Sequence, residues 1–366
     1  MVSFEPSEEQ RLIRDTVAEF ARERIRPQAR PSDESGVVPA DLVEEGWQLG
    51  LVQGAIPEGL GGGGQAHSAV TNALVIEELA WGDLSIACHL LAPQLFVMPL
   101  MEGGTESQRQ EFLPKFTGPT FQAATAAVME PTWDFDLSEL RATARRENGR
   151  YVLEGKKCYV PLAAEAQHLL VYARIPESGE TAVFILDRDM PGLQLLEREK
   201  NMGLKGLATY ELQFERCVVP ANRRLGGEAG CNADRLLNLS RVALAAAAVG
   251  VARASFEYAR DYAKERKAFG VYIAQKQAIA FMLAEMAIEI DAARLLTWEA
   301  AWKLDRGEDA TREAVLAKQY AANMALMVAD RGVQILGGHG YVRDHLVELF
   351  LRNARGFATF EGLLIA

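Results

Sequence analysis

A single carboxylate, Glu361, stands in Phe360-Glu361-Gly362-Leu363, where a helical run breaks at a glycine near the end of the 366-residue chain. Apolar neighbours at such a break raise a carboxylate's affinity for protons, which suits a general base acting on a weakly acidic C–H. Upstream, Asp330-Arg331-Gly332-Val333-Gln334-Ile335-Leu336-Gly337-Gly338-His339-Gly340-Tyr341 takes an amphipathic helix into a glycine-rich turn. Paired glycines admit a backbone close to a ligand and offer bare amides to a pyrophosphate. Each signal also has a plainer reading, since a surface Glu often precedes a C-cap glycine. A second glycine run, Gly59 to Gly64, is followed by no Lys-Ser/Thr pair and led into by no clear strand. It is read as a mobile loop, not a phosphate loop.

The bulk of the chain narrows the setting. Its length accommodates two or three domains with a substantial core, and 49% hydrophobic with 24% charged residues is the balance of an ordinary soluble protein. A net charge of -11 weighs against general nucleic-acid binding, which is driven by phosphate neutralisation. Cys88, Cys158, Cys217 and Cys231 lack CxxC or His-paired spacing. No metal site or disulfide framework is therefore expected, and a reducing cytoplasm fits. The opening stretch from Phe4 to Gln10 shows no basic or apolar region of a secretory signal. The apolar run 242–251, flanked by Arg241 and Arg253, is too short to span a bilayer.

The elements that must position these residues come in three blocks. Ser7 with Gln10 three places on predicts a capped first helix, stopped by Pro27 and Pro31; a second runs from Pro39 to Leu51. Further helices are expected over 69–80, from Leu84 towards Leu100, and over 105–116. After Gly118-Pro119 the texture becomes strand-like: Asn148-Gly149 marks a hairpin, and short β-rich runs follow at 168–173, 182–186 and 210–219. From Asn232 the pattern is helical again, with small residues crowding 243–254, a stripe at Ile279, Met282, Met286 and Ile290, and helices over 297–304 and 311–333. The expected fold is α+β and multidomain. Residues 1–119 form an N-terminal helical domain, 120–225 a middle antiparallel β-barrel or sandwich, and 226–366 a C-terminal domain like a four-helix bundle.

That order carries a set of motifs in matching sequence. They are Ile56-Pro57-Glu58-Gly59, Glu77-Glu78-Leu79-Ala80, Glu130-Pro131, Gly155-Lys156-Lys157, Asn201-Met202-Gly203-Leu204-Lys205-Gly206 and Phe214-Glu215-Arg216-Cys217-Val218-Val219-Pro220. Most specific are Glu265-Arg266-Lys267-Ala268-Phe269-Gly270, with Gln277 behind it, and Gln334 to Tyr341. Together they resemble the acyl-CoA dehydrogenase family over almost the whole chain.

The resemblance implies FAD lying between the β-domain and the C-terminal helices, its adenosine half reaching a neighbouring subunit. Positions matching Arg266 and Phe269 contact it from one subunit, and those matching Gln334, Gly337 and Gly338 line its pyrophosphate and adenine; Met129 and Pro161 fall at flavin-facing positions. Glu361 matches the catalytic base that removes the α proton of an acyl-CoA thioester, while the β-hydrogen leaves as hydride to the flavin. Its backbone N–H, beside Gly362, helps polarise the thioester carbonyl. Asn238 and Arg241 match positions near the CoA arm. The family's other base position, just before Arg241, holds Ser240. Also implied are a homo- or hetero-oligomer built as a dimer of dimers, an electron-transferring flavoprotein as acceptor, and a place in fatty acid or lipid metabolism.

The chain also departs from the family. Met129 stands for a Thr, Thr132-Trp133-Asp134-Phe135-Asp136 replaces a Gly-rich loop, Tyr159-Val160-Pro161 replaces Trp-Ile-Thr, and Ala268 replaces a Thr. Pro161 has neither hydroxyl nor backbone N–H. Trp133 and Phe135 read either as new apolar surface for a ligand or as core. An alternative is therefore a flavin-poor subunit of a hetero-oligomeric acyl-CoA dehydrogenase, with a scaffold or half-site role; a third reading is flavin oxidase chemistry on the same fold.

Overall fold

The computed structural model describes residues 5–366. The first four, which include the start of the stretch where no secretory signal was expected, lie outside the described residues. Ser7 Oγ accepts from the Gln10 N–H, and the Gln10 side chain accepts from the Ser7 N–H, opening α1 (Glu8–Phe20) as their spacing predicts. The two prolines do not stop the coil. A π-helical turn, Ala21–Ile25, widens it, and α2 (Arg26–Ser35) takes Pro27 in its first turn, where a missing N–H costs nothing. The helix carries Pro31 within it and ends at Gly36, φ +74°.

Helices α3 (Ala40–Gln48), α4 (Ala69–Gly82), α5 (Leu84–Leu91), α6 (Gln94–Gly103) and α7 (Glu106–Phe112) complete the N-terminal part. The run expected as one helix from Leu84 is two, bent by 47° at a break that holds Pro93. The glycine loop is laced back on itself: Gly63 N–H donates to Gln53 O at 3.0 Å, and Gly64 N–H to Ile56 O at 2.9 Å.

Seven strands follow: β1 (Ala124–Ala127), β2 (Thr143–Glu147), β3 (Arg150–Pro161), β4 (His168–Arg174), β5 (Thr181–Asp187), β6 (Leu193–Arg198) and β7 (Thr209–Pro220). Their order is β1-β4-β2-β3-β7-β6, with β5 on β4. Asn148 (φ +49°) and Gly149 (φ +74°) make the tight β2–β3 turn. The sheet is not wholly antiparallel as expected, because β1 runs parallel to β4 from Ala124/His168 to Ala127/Val171, and β2 meets β4 in parallel at Thr143/Arg174. β1 gave no signal, since all four of its residues are buried and no alternation marks a face.

The C-terminal part holds α8 (Ala233–Glu265), a small hairpin of β8 (Lys267–Ala268) and β9 (Val271–Tyr272), α9 (Gln277–Asp305), α10 (Thr311–Leu336), α11 (Gly338–Tyr341) and α12 (Val347–Ala354). Among the described residues three long helices, not four, carry it; the fourth long neighbour is α4, packed on α8 and α9. At the closest approach, a Cβ on Gly250 of α8 would lie 2.3 Å from the Glu77 carbonyl of α4. The apolar run in α8 extends beyond 242–251, and the helix has the length and composition to cross a membrane, yet 89% of its apolar window is buried inside the protein. Asn238 meets Thr311 and Tyr262 meets His339, so α8 and α10 run in the same direction. Arg253 and Arg294 close on Glu77 at 2.8 and 3.0 Å, neutralising a charge at the α4 interface that would be costly alone.

Candidate active site

The sheet, the long helices and the C-terminal segment converge on a cavity of about 760 Å³. It is bordered by residues 129–133 and 135–137 after β1, by Cys158 and Tyr159 of β3, by Glu199 and Glu211, by Arg241 of α8, by Lys318 of α10, and by Ala358, Thr359 and Glu361.

Glu361 is fixed through its backbone. Its N–H donates to Met129 Sδ at 3.3 Å, and the next N–H, of Gly362, donates to Ser240 Oγ at 3.2 Å. Gly362 sits at φ +67°, and a Cβ there would lie 2.4 Å from Val128 Cγ2, so the turn demands glycine. Leu363 to Ala366 then run buried beneath α8, where the Ala366 N–H donates to Leu239 O at 3.2 Å. Ser240 thus tethers the turn that carries Glu361.

The side chain of Glu361 departs from the expectation of purely apolar surroundings. Lys318 Nζ donates to Oε1 at 2.8 Å, and both side chains are largely buried. The second oxygen, Oε2, is buried without a hydrogen-bond partner. Lys318 was missed, although a signal exists: it stands four residues after Ala314 and three before Ala321, both fully buried. Helical spacing puts its cation on the alanine face.

Behind the cavity, Arg241 Nη1 donates to Asn238 Oδ1 at 2.8 Å, and Asn238 Nδ2 to Thr311 Oγ1 at 2.9 Å, which holds the guanidinium in place. The loop after β1 hangs on a buried pair. Lys157 Nζ donates to Glu130 Oε1 at 2.9 Å and to Val128 O at 2.8 Å, while Glu130 accepts from the N–H groups of Arg141 and Ala142. Burial pulls the Lys157 ammonium down to about 8, against the opposing pull of Glu130.

The remaining predicted residues divide. Tyr159, φ +52°, borders the cavity and donates its N–H to Glu199 Oε1 at 3.1 Å, whereas Pro161 is buried in the sheet opposite Thr209 and does not line it. The β-bulge between Lys157 and Val160 makes that difference, turning Tyr159 and not Pro161 to the site. Trp133 is 96% exposed at the cavity wall, so it is no core residue. Arg266, Phe269, Gln334, Gly337 and Gly338 are all exposed, Phe269 at 95%. They lie at the other end of the bundle. Along α8 the stretch from Arg241 to Arg266 spans roughly 37 Å, so one chain does not bring these residues to the cavity of Glu361.

The donor and acceptor sets suit a long, polar cofactor shared between such ends. Glu199 and Glu361 border the cavity, and each keeps one buried carboxylate oxygen without a hydrogen-bond partner, an acceptor that a ligand donor would satisfy. At the far end, Arg266 and the open backbone of Gly337 and Gly338, around which an added Cβ would meet nothing within 4 Å, suit phosphate oxygens. Among the described residues no group of three or more His, Cys, Asp or Glu could hold a metal ion.

Three family models match the chain: acyl-CoA dehydrogenase N-terminal domain over 7–118, middle domain over 125–217 and C-terminal domain over 232–363. The caffeyl-CoA reductase-Etf complex subunit CarC of Acetobacterium woodii is 34% identical, covering 97% of this chain and 95% of that one. Butyryl-CoA dehydrogenase from Megasphaera elsdenii superposes with a TM-score of 0.89 at 30% identity, over 99% of this chain and 96% of the other. The FAD complex of PigA gives 0.89 at 25% identity, over the same shares. On these matches, and on a cavity where sheet, helices and the C-terminal carboxylate meet, the chain belongs to the acyl-CoA dehydrogenase family of flavin-dependent oxidoreductases.

Proposed function

We propose that the protein catalyses the α,β-dehydrogenation of an acyl-CoA thioester to the 2-enoyl-CoA, with Glu361 as the base and FAD as cofactor. The observation that carries this reading is a backbone-fixed carboxylate with one unpartnered oxygen at a cavity walled by the sheet and the long helices. FAD, when bound, supplies an acceptor for the hydrogen and electron pair leaving the β-carbon. Glu361 takes the α proton. The thioester oxygen displaces Met129 Sδ from the Glu361 N–H, which then stabilises the enolate charge as it develops. Arg241, held by Asn238, faces the CoA arm. Gly362 fixes the turn.

Arg266, Phe269, Gln334, Gly337 and Gly338 would hold the pyrophosphate and adenosine of a neighbouring copy's FAD, which is supported by their exposure and by the distance that separates them from their own chain's cavity. Assembly as a dimer of dimers is further supported by α9, which exposes Phe281, Ile288, Leu295 and Trp302 in a stripe recurring every seven residues. An electron-transferring flavoprotein is the proposed acceptor, following the Etf complex named for the Acetobacterium relative, and a cytoplasmic setting with a role in lipid metabolism is proposed with it.

A second reading, a flavin-poor subunit of a hetero-oligomer, is favoured by one observation: where hydroxyls are expected, Met129 engages the Glu361 N–H and Pro161 is turned into the sheet. The visible spectrum of the purified protein, with flavin counted per chain after denaturation, separates the two. Near one flavin per chain, bleached by acyl-CoA in the wild type and not in Glu361→Gln, is expected. A colourless protein that stays empty when FAD is added overturns the first reading in favour of the second.

A further inference from the structure

Resting on the reading of Glu361 as base, we infer that Lys318 is a positioning residue that fixes the plane of the Glu361 carboxylate and leaves one oxygen uncovered to take the proton. Nζ holds Oε1 at 2.8 Å, and Oε2 is left as a buried acceptor with no partner. The last torsion of a Glu side chain is broad, so an unpaired carboxylate would not hold its plane in one orientation. An ammonium on one oxygen fixes that plane and leaves the other oxygen uncovered. Neither partner is free to drift: Lys318 springs from a turn of α10 whose Ala314, Ala317 and Ala321 are fully buried, while the backbone on both sides of Glu361 is bonded to Met129 and Ser240. The orientation of the base is thereby set by three distant parts of the chain before any ligand arrives.

The other charged or titratable groups bordering the cavity do not take this place. Arg241 is bonded to Asn238, Glu130 pairs with Lys157, Glu211 pairs with Lys156 at 3.2 Å, Glu199 accepts from Tyr159, Asp136 caps Ser138 at 2.8 Å, and Cys158 and Tyr159 carry no cation. Lys318 is the cation bonded to Glu361. The proton passes from the α-carbon to Oε2, and Lys318 gives up none of its own.

The test compares wild type, Lys318→Met, Lys318→Arg and Glu361→Gln, loaded with FAD, by the anaerobic rate of flavin bleaching with acyl-CoA. Lys318→Met is expected to slow bleaching by about 10²-fold, the scale of a misplaced reacting group. Acyl-CoA affinity should change by less than about threefold, and Lys318→Arg should recover most of the rate. A Lys318→Met protein with the wild-type rate overturns the inference, as does a slower one whose rate Lys318→Arg does not recover. Bleaching by Glu361→Gln at the wild-type rate instead overturns the assignment of the base itself. Independently of flavin content, a double-mutant cycle of Lys318→Met and Glu361→Gln on thermal unfolding should be non-additive. Additive effects overturn the pairing.

Discussion

The backbone N–H of Glu361 donates to the sulfur of Met129 across 3.3 Å, so the proposed base and the loop after β1 are joined by a weak bond that a ligand can replace. A thioether is a poor acceptor, and a carbonyl oxygen is a better one. Met129→Leu should therefore leave that N–H unsatisfied and cost about 1–3 kcal/mol of stability in the ligand-free protein. The loss should shrink when acyl-CoA is bound. Thermal melts with and without saturating acyl-CoA measure it, and equal losses in both states would count against displacement of the sulfur.

Gly362→Ala tests the turn. The substitution places a Cβ 2.4 Å from Val128 Cγ2 at φ +67°. A left-handed alanine costs about 1–2 kcal/mol and overpacking about 1–3 more. Flavin reduction should suffer beyond this stability loss, because the turn carries Glu361. A variant that melts lower yet reduces its flavin at the wild-type rate would show that the turn does not set the reacting geometry.

Lys157→Met should cost about 3–5 kcal/mol, since it leaves the Glu130 carboxylate buried and uncompensated. The N–H groups of Arg141 and Ala142, held by that carboxylate, should exchange faster with solvent. Adding Glu130→Gln should restore part of the stability. Denaturant unfolding and hydrogen exchange read both effects, and a single variant as stable as the wild type would argue that the pair is dispensable.

Glu102 supplies a pH signature. His67 and then Arg235 hold its carboxyl down to about 2, linking α6 to the loop before α4 and to α8. With the folded pKa depressed, its stabilisation is complete above the unfolded value near 4.5 and is lost as pH falls through about 2. The full effect is on the order of 3 kcal/mol. Glu102→Gln should thus be less stable than wild type near pH 7, with the gap closing in acid. Urea unfolding across that range tests this, and a gap that stays constant would assign the loss to packing alone.

Signals that lie within a few residues of one another were legible in the chain itself. Ser7 with Gln10 set the start of α1, Asn148-Gly149 set the β2–β3 turn, and the helical run breaking at Gly362 put Glu361 in a bend. Each is decided by local backbone preference or a bond spanning a turn or two. Motif order likewise carried the family. Long-range pairings were not legible, because nothing local encodes which strand lies beside β1 or which cation meets Glu361. The parallel β1–β4 register, the bulge that turns Tyr159 to the cavity in place of Pro161, and the Lys318–Glu361 contact exist only once the sheet and the long helices have packed. The same holds for the π turn that carries the chain past Pro27, where the packed helix overrides a local stop signal. Composition and periodicity determined most of the helices, the β2–β3 hairpin and the bend where the carboxylate sits; tertiary packing decided what that carboxylate touches, since a contact across 43 residues depends on how separate elements are brought together.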